Sequence, residues 1–295
     1  EFCKVNHVPY LNTKKLLVAS SHKQVSIIDN IKSQAEKNGV EGIKKISKKE
    51  SLKLEPLISC EEALLVPSSG VIDTVSFMRS LVGMIQDKGN MLAFRSEVKK
   101  INFDGKKFKI SINDANETSI ECNNLINSAG LHASEVSKKI EELDKNLIPK
   151  IFFSKGNYFS INKDLGIRHL IYPIPEKIGL GIHLTLELDF TIKFGPDAEW
   201  VERSDDYEVN ISRKKFFIDE IKKYFPSFDG NLLQPSYSGI RPIIEKKDQT
   251  SRDFIIQTNK NHSIPNLINL YGIESPGFTS SLAIAKEIRK ILEHR

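Results

Sequence analysis

Three cysteines, three methionines and one tryptophan in 295 residues make this a chain poor in sulfur and indole. Cys3, Cys60 and Cys122 stand far apart and form no Cys-x-x-Cys pair, so neither a disulfide framework nor a cysteine-built zinc site is expected, and a reducing, cytoplasmic setting is. No apolar run approaches the roughly 18 residues of a spanning helix, and no stretch reads as a secretory signal. Without such a signal, Asn116-Glu117-Thr118, Asn210-Ile211-Ser212 and Asn261-His262-Ser263 read as chance matches to the glycosylation triplet. A basic arm is also missing. The net charge of +5 arises from 43 basic and 38 acidic residues, and the lysines come in scattered pairs such as Lys14-Lys15, Lys44-Lys45 and Lys222-Lys223. That pattern describes a solvated surface and gives no footprint for nucleic acid.

No G-x-G-x-x-G dinucleotide fingerprint occurs either. Gly179-Leu180-Gly181-Ile182-His183-Leu184 begins like one, but it lacks the third small residue and runs into β-rich sequence where a helix is required.

What is present is an alternation of helices and strands around a β-rich middle. Val25, Ile28, Ile31 and Ala35 predict a helix over 21–39 that stops at Gly39. Ser47-Lys48-Lys49-Glu50 is a capping box opening a short helix before Pro56. Phe77, Leu81, Met84 and Ile85 predict a helix capped by Asp73 and closed by Gly89. Short strands are predicted at Met91–Phe94, Glu97–Phe103, Lys106–Ile112 (after an Asp104-Gly105 turn) and Thr118–Cys122. Leu125-Ile126-Asn127 reads as a buried strand, and Ser128-Ala129-Gly130 leads from it into a helix carrying Val136 and Ile140. Longer, aromatic-rich β segments follow from Ile151 to about Phe194, then the helix RKKFFIDEIKKYF ending at Pro226. The class is α/β with a discontinuous first domain.

LYGIESPGFTSSLAIAKEI, from Leu270 to Ile288, is strand, tight turn, helix, with Thr279, Ser280 and Ser281 as candidate caps and Leu282, Ala285, Ile288 and Ile291 as the buried stripe. No Lys follows its glycines, which excludes a nucleoside-triphosphate loop. Small residues at this turn and at Asn127-Ser128-Ala129-Gly130 let a ligand approach the backbone. The helix end behind each offers free N–H groups and a positive dipole. Two such turns at strand ends of one sheet are where ligands bind in open α/β folds. Arg241, in Ser238-Gly239-Ile240-Arg241-Pro242, is either a surface residue or a bidentate carboxylate clamp. His183 and Tyr172 lie on β segments, where core or surface roles are the ordinary ones.

Taken together and in this order, SSGVIDTVSF, NSAGLHASEVS, KGNYFSI, LIYPIPEKIGLGIHLT, FGPDAEW, YSGIRPII and LYGIESPGFTSSLAIA resemble FAD-dependent oxidoreductases of the D-amino-acid-oxidase type. Within them the likeness is to the L-2-hydroxyglutarate dehydrogenase/oxidase branch, and it covers nearly the whole chain. The resemblance implies a doubly wound FAD-binding domain plus an α+β substrate domain with a large, mostly antiparallel sheet. The implied substrate-domain segments are 1–66 and 148–236, and the implied FAD-binding segments are 67–147 and 237–295. It also implies FAD contacts from Val98 to the adenine, from Ser128, Ala129 and Gly130 near the phosphates, and from Gly272, Ser275, Pro276, Gly277, Phe278 and Thr279 at the pyrimidine end of the flavin. A positive helix end there would stabilise the reduced ring.

The activity so implied is oxidation of a 2-hydroxy acid to the 2-oxo acid by hydride transfer to flavin N5. Arg241 would clamp the carboxylate, His183 would take the hydroxyl proton, and Tyr158 and Tyr172 would line the pocket. The electron acceptor would be oxygen or a quinone, with at most peripheral contact to the inner membrane and no nucleic acid. The rival activities are an amine or amino-acid oxidase of the same fold and a non-catalytic fragment without flavin. The last rival arises because the chain opens Glu1-Phe2-Cys3 without an initiator Met and without the strand–GxGxxG–helix unit that begins the family's chain, a unit of roughly 30 or more residues. The expectation is a fragment that holds FAD poorly.

Overall fold

The computed structural model describes residues 1–116, 118–174, 181–244 and 253–293. Glu117 of the first glycosylation triplet, and Gly179-Leu180 of the discarded fingerprint, lie outside the described residues.

Residues 1–91 form α1 (Phe2–Val5), β1 (Tyr10–Leu11), β2 (Lys15–Ala19), α2 (His22–Lys37), β3 (Lys44–Ser47), α3 (Lys48–Leu54), β4 (Glu62–Val66), β5 (Val71–Ile72) and α4 (Thr74–Asp87). Residues 92–161 add β6 (Val98–Phe103), β7 (Phe108–Ile112), β8 (Ser119–Cys122), β9 (Leu125–Asn127), α5 (Ala133–Lys138) and β10 (Phe152–Ile161). Then come β11 (Leu170–Pro173), β12 (Leu184–Leu186), β13 (Ile192–Phe194), β14 (Glu199–Val201), α6 (Lys214–Lys222) and β15 (Gln234–Ile243). The chain closes with β16 (Ile255–Gln257), α7 (Asn259–His262), β17 (Leu267–Tyr271) and α8 (Gly277–Glu293).

Two compact units result. The first holds Glu1–Met91, Gly156–Glu199 and Tyr207–Gly239; the second holds Leu92–Lys155, Trp200–Asp206 and Ile240–Arg295. Residues 67–91, assigned from sequence to the cofactor segment, group with the first unit.

The first unit is built on a nine-stranded sheet ordered β14-β10-β13-β12-β11-β2-β4-β3, with β15 also pairing β10. Apart from the parallel β2–β11 pair, the pairings from β10 through β3 are antiparallel. One face packs Phe217, Ile221, Tyr224 and Phe225 of α6 and its C-terminal end against Phe159, Ile171, Leu184 and Phe194. A smaller cluster seats Ile28 of α2, with Val25, Ile31 and Ala35, beside Leu64 of β4. The capping box is present: Glu50 N donates to Ser47 Oγ, and Ser47 N donates to Glu50 Oε2. Asp73 caps α4 by accepting from Ser76 N. That helix buries only Phe77, while Met84 and Ile85 remain exposed.

The second unit carries two three-stranded sheets, β16-β17-β9 and β6-β7-β8. β17 runs parallel to β9, and α8 lays Ile284, Ile288, Ile291 and Leu292 on Ile268 and Leu270 of β17. This corrects the sequence-derived stripe, because Leu282 is 42% exposed and Ala285 also faces outward. Steps of three residues each turn 300°, so a 282-285-288-291 series drifts around the helix, whereas alternating steps of four and three hold one face. Met91–Phe94 is no strand: no partner strand pairs with it, and Met91 and Phe94 are 94% and 80% exposed. Ile126, expected to be buried, is exposed on β9. The three cysteines are free. Among the described residues no helix is long and apolar enough to cross a membrane.

Candidate functional site

In the first unit the site grows out of strand register. Ile171, Leu184, Phe194 and Phe159 oppose one another across β11, β12, β13 and β10, and all four are fully buried. Side chains alternate between sheet faces, so the neighbouring row of Tyr172, His183, Gly195 and Tyr158 belongs to the opposite face, with Tyr172 still packed against the edge of that core. Tyr172 and His183 are directly opposed and stack, with ring centroids 3.7 Å apart and planes 8° apart. Gly195 donates its N–H to the His183 carbonyl (3.0 Å). Its φ is +135°, and a Cβ there would stand 2.8 Å from Tyr158 Cδ1 and 2.7 Å from the Asn157 carbonyl oxygen. Only glycine fits here, because the Tyr158 ring and the Asn157 carbonyl already occupy the space of a side chain. Tyr158 stacks on Tyr237 of β15 at 4.4 Å. The Lys15 ammonium stands over the opposite side of the row, 4.9 Å from the Tyr172 centroid.

Burial raises the pKa of Tyr172, against a hydrogen bond to Thr185 that lowers it, so the phenol keeps its proton at neutral pH. Burial likewise raises Tyr237, aided by nearby Glu187. Desolvation lowers Lys15.

The row is held rigid from behind by a buried polar network. Asp197 accepts from Asn157 N (2.8 Å), Asn157 Nδ2 (3.1 Å) and Arg213 Nε (2.6 Å). Asn157 Oδ1 in turn accepts from Asn210 N (2.8 Å). The FGPDAEW motif therefore places a buried carboxylate that locks β10, the strand bearing Tyr158.

In the second unit the site is made of turns. Asn127, at the end of β9, donates through Nδ2 to Ala133 O (2.8 Å), Ser137 Oγ (2.9 Å) and Asn269 Oδ1 (3.2 Å). Ser137 also bonds the Tyr271 hydroxyl (2.7 Å), so the C-terminal ends of β9 and β17 are tied together. From those ends start the Ser128-Ala129-Gly130 and Gly272–Gly277 turns. Ser128 and Ala129 are exposed, and Gly130 has φ +57° with open space where a Cβ would point. Gly272 has φ +65°.

α8 begins at Gly277, so Thr279, Ser280 and Ser281 are not caps but lie inside the helix. Ser280 Oγ instead donates to Pro276 O (3.0 Å). Gly277 has no positive φ, and its missing Cβ would meet Ile273 Cγ2 at 2.6 Å, so packing within the unit demands this glycine. Phe278 and Thr279 supply first-turn amides, which precede the first i−4 carbonyl bond made by Ser280 N to Pro276 O. Pro276 has no N–H to offer. Ser281 Oγ is buried without a hydrogen-bond partner. Arg241 of β15 donates from Nη2 to Ser154 Oγ (3.1 Å), and its Nη1 lies 4.0 Å from Glu274 Oε2 of the turn. Val98 stands apart in the β6-β7-β8 sheet, its carbonyl accepting from Lys139 Nζ.

Tyr172 and His183 are thus brought together, and Arg241 meets the turn before α8. Sequence reasoning gave no site role to Lys15, Tyr237, Ser154 or Glu274, read Ser281 only as a cap, and did not foresee the Asn127–Asn269 lock. Tyr237 was within reach of it: Tyr237, Gly239 and Arg241 alternate on one strand. Lys15 lay hidden in an ordinary lysine pair.

First-turn amides, an unpartnered hydroxyl and the open Ser128-Ala129-Gly130 turn form a donor set that fits the acceptor-rich edge of a flavin and the phosphates behind it. The fold is that of flavin-dependent oxidoreductases. It matches L-alpha-glycerophosphate oxidase from Mycoplasma pneumoniae with FAD bound at a TM-score of 0.85 and 24% identity, over 97% of this chain and 74% of that one. Residues 1–291 match the family described as FAD dependent oxidoreductase, and the chain belongs to that family. A mitochondrial L-2-hydroxyglutarate dehydrogenase of Arabidopsis thaliana is 35% identical over 98% of this chain and 68% of its own length. A glycerol 3-phosphate dehydrogenase of Caloramator mitchellensis is 24% identical over 100% of this chain, which spans 59% of that protein.

Proposed function

We propose that the protein oxidises a short 2-hydroxy acid, of the L-2-hydroxyglutarate kind, to the 2-oxo acid. The observation that carries this is the 35% identity to a protein of that name across 98% of the chain. The side chains support it. Arg241, steadied by Ser154, offers a planar fork to the α-carboxylate. His183, fixed by its stack on Tyr172, accepts the proton of the substrate hydroxyl as the C–O bond becomes a carbonyl. Tyr172, kept as a phenol, lines the same face with Tyr158, and the buried Asp197 network keeps that face from shifting. The first turn of α8, Gly272 and the Ser128-Ala129-Gly130 turn would hold FAD, which would supply the two-electron acceptor, with oxygen or a quinone as the terminal acceptor.

The test is anaerobic bleaching of the flavin-loaded protein with L-2-hydroxyglutarate, L-glutamate and glycerol 3-phosphate offered separately. Bleaching by the hydroxy acid is expected. Bleaching by only the amine or only the phosphate ester would overturn the reading.

A further inference from the structure

Several of the lysines that lose solvent in this protein are paired with carboxylates. Lys155 is almost fully buried and lies 2.9 Å from Asp206, Lys193 pairs with Glu187, and Lys139 lies 3.0 Å from Glu97. Lys15 differs from these. It is half-buried, desolvation lowers its pKa, and among the described residues no carboxylate lies within ion-pairing distance. What it has is Tyr172. Parallel pairing sets Leu17 of β2 beside Tyr172 of β11, so Lys15, two residues earlier on the same face, reaches along the strand and over the ring at 4.9 Å. β12 flanks β11 on the side away from β2, and there His183 stacks on the same ring. The Tyr172 ring thus stands between a cation and an imidazole.

A cation–π contact weakly offsets the loss of hydration, and a desolvated ammonium without a carboxylate partner attracts an anion more strongly than a solvated one does. We propose that Lys15 is the specificity-determining residue of this face: its ammonium, held over Tyr172, takes a second anionic group of the substrate, remote from the carbon that is oxidised. This rests on the reading of His183 as the group beside the reacting hydroxyl. The substrate class is then narrower than 2-hydroxy acids. It is small alcohols bearing an anion on each side of the reacting carbon, or a single strongly anionic terminus. The second anion can be a carboxylate or a phosphate, and the experiment separates them.

The flavin-loaded protein is compared with Lys15→Met, which keeps the apolar stem and removes the charge, and with Lys15→Arg. The substrates are L-2-hydroxyglutarate, L-2-hydroxybutyrate and glycerol 3-phosphate. Calorimetry measures binding of the products 2-oxoglutarate and 2-oxobutyrate. Lys15→Met is expected to raise KM for the dicarboxylate about 10- to 100-fold, the range of a lost charge-assisted contact. KM for the monocarboxylate, kcat for either and bound flavin should stay unchanged, 2-oxoglutarate should lose its binding advantage over 2-oxobutyrate, and Lys15→Arg should restore much of it. Equal losses for both substrates, or undiminished preference for the dicarboxylate, overturn the role of Lys15 while leaving the hydroxy-acid reading standing. If the phosphate ester alone is oxidised and Lys15→Met raises its KM, the hydroxy-acid reading fails and Lys15 keeps its role. If the unaltered protein binds neither the dicarboxylate nor the phosphate ester more tightly than the monocarboxylate, the proposal fails outright.

Discussion

The first unit presents side chains and the second presents backbone. Across the nine-stranded sheet, Lys15, Tyr172, His183 and Tyr158 form a row whose chemistry resides in ring faces, an ammonium and an imidazole. At the ends of β9 and β17 the useful groups are amides, two positive-φ glycines and one hydroxyl. The difference teaches a division of labour. Side-chain recognition can be retuned residue by residue. Backbone recognition depends on chain conformation and tolerates substitution only where φ and space allow.

The largest way to break this contrast is to remove the support behind the side-chain row. Asp197→Ala leaves the Asn157 and Arg213 donors without their buried acceptor and should lower stability by about 3–5 kcal/mol. A thermal melt reads this, and an unchanged midpoint would show that the row needs no scaffold. Next comes the anchor of the backbone site. Ile288→Ala, in the α8–β17 cluster, should cost about 2–4 kcal/mol, measured by denaturant titration.

Arg241→Lys tests a side chain in the otherwise backbone-built unit. Loss of the planar fork should lower kcat/KM for a hydroxy acid about 100-fold, or roughly 2.7 kcal/mol, with flavin content unchanged. A smaller effect separates the two glycine turns. Gly272→Ala places a Cβ 2.5 Å from Ile244 Cδ1 and also forces a left-handed residue, whereas Gly130→Ala meets only the left-handed strain of about 1–2 kcal/mol. The melt of Gly272→Ala should therefore fall further. Equal shifts would show that Ile244 gives way freely. The smallest effect belongs to Leu282→Ser, which should change stability by less than about 0.5 kcal/mol because that side chain leaves the packed face.

How much of this was legible follows from how local each signal is. The capping box at Ser47–Glu50, the Asp73 cap and the periodicity of α2 were readable because each closes within a few residues. The Thr279–Ser281 caps were misplaced because any of several hydroxyls can precede an apolar run, and the chain enters its helix two residues before the first of them, at Gly277. The Met91–Phe94 strand failed because β-like composition makes a strand only when another strand supplies its hydrogen bonds. Arg241, His183 and Tyr172 were named from the sequence, yet its patterns said nothing of the stack that holds two of them.

By itself the sequence determined the longer helices, the glycine turns, the β-rich middle and the motifs that mark the family, since these rest on spacing along one stretch of chain. Only the tertiary structure decided that Tyr172 would face His183, that Tyr158 would pack onto Gly195, and that a lysine from an unremarkable pair would stand desolvated over a tyrosine ring. The reason is register. Lateral pairing of strands distant in sequence selects which residues share a face, and a slip of one residue would have sent this whole row into the core.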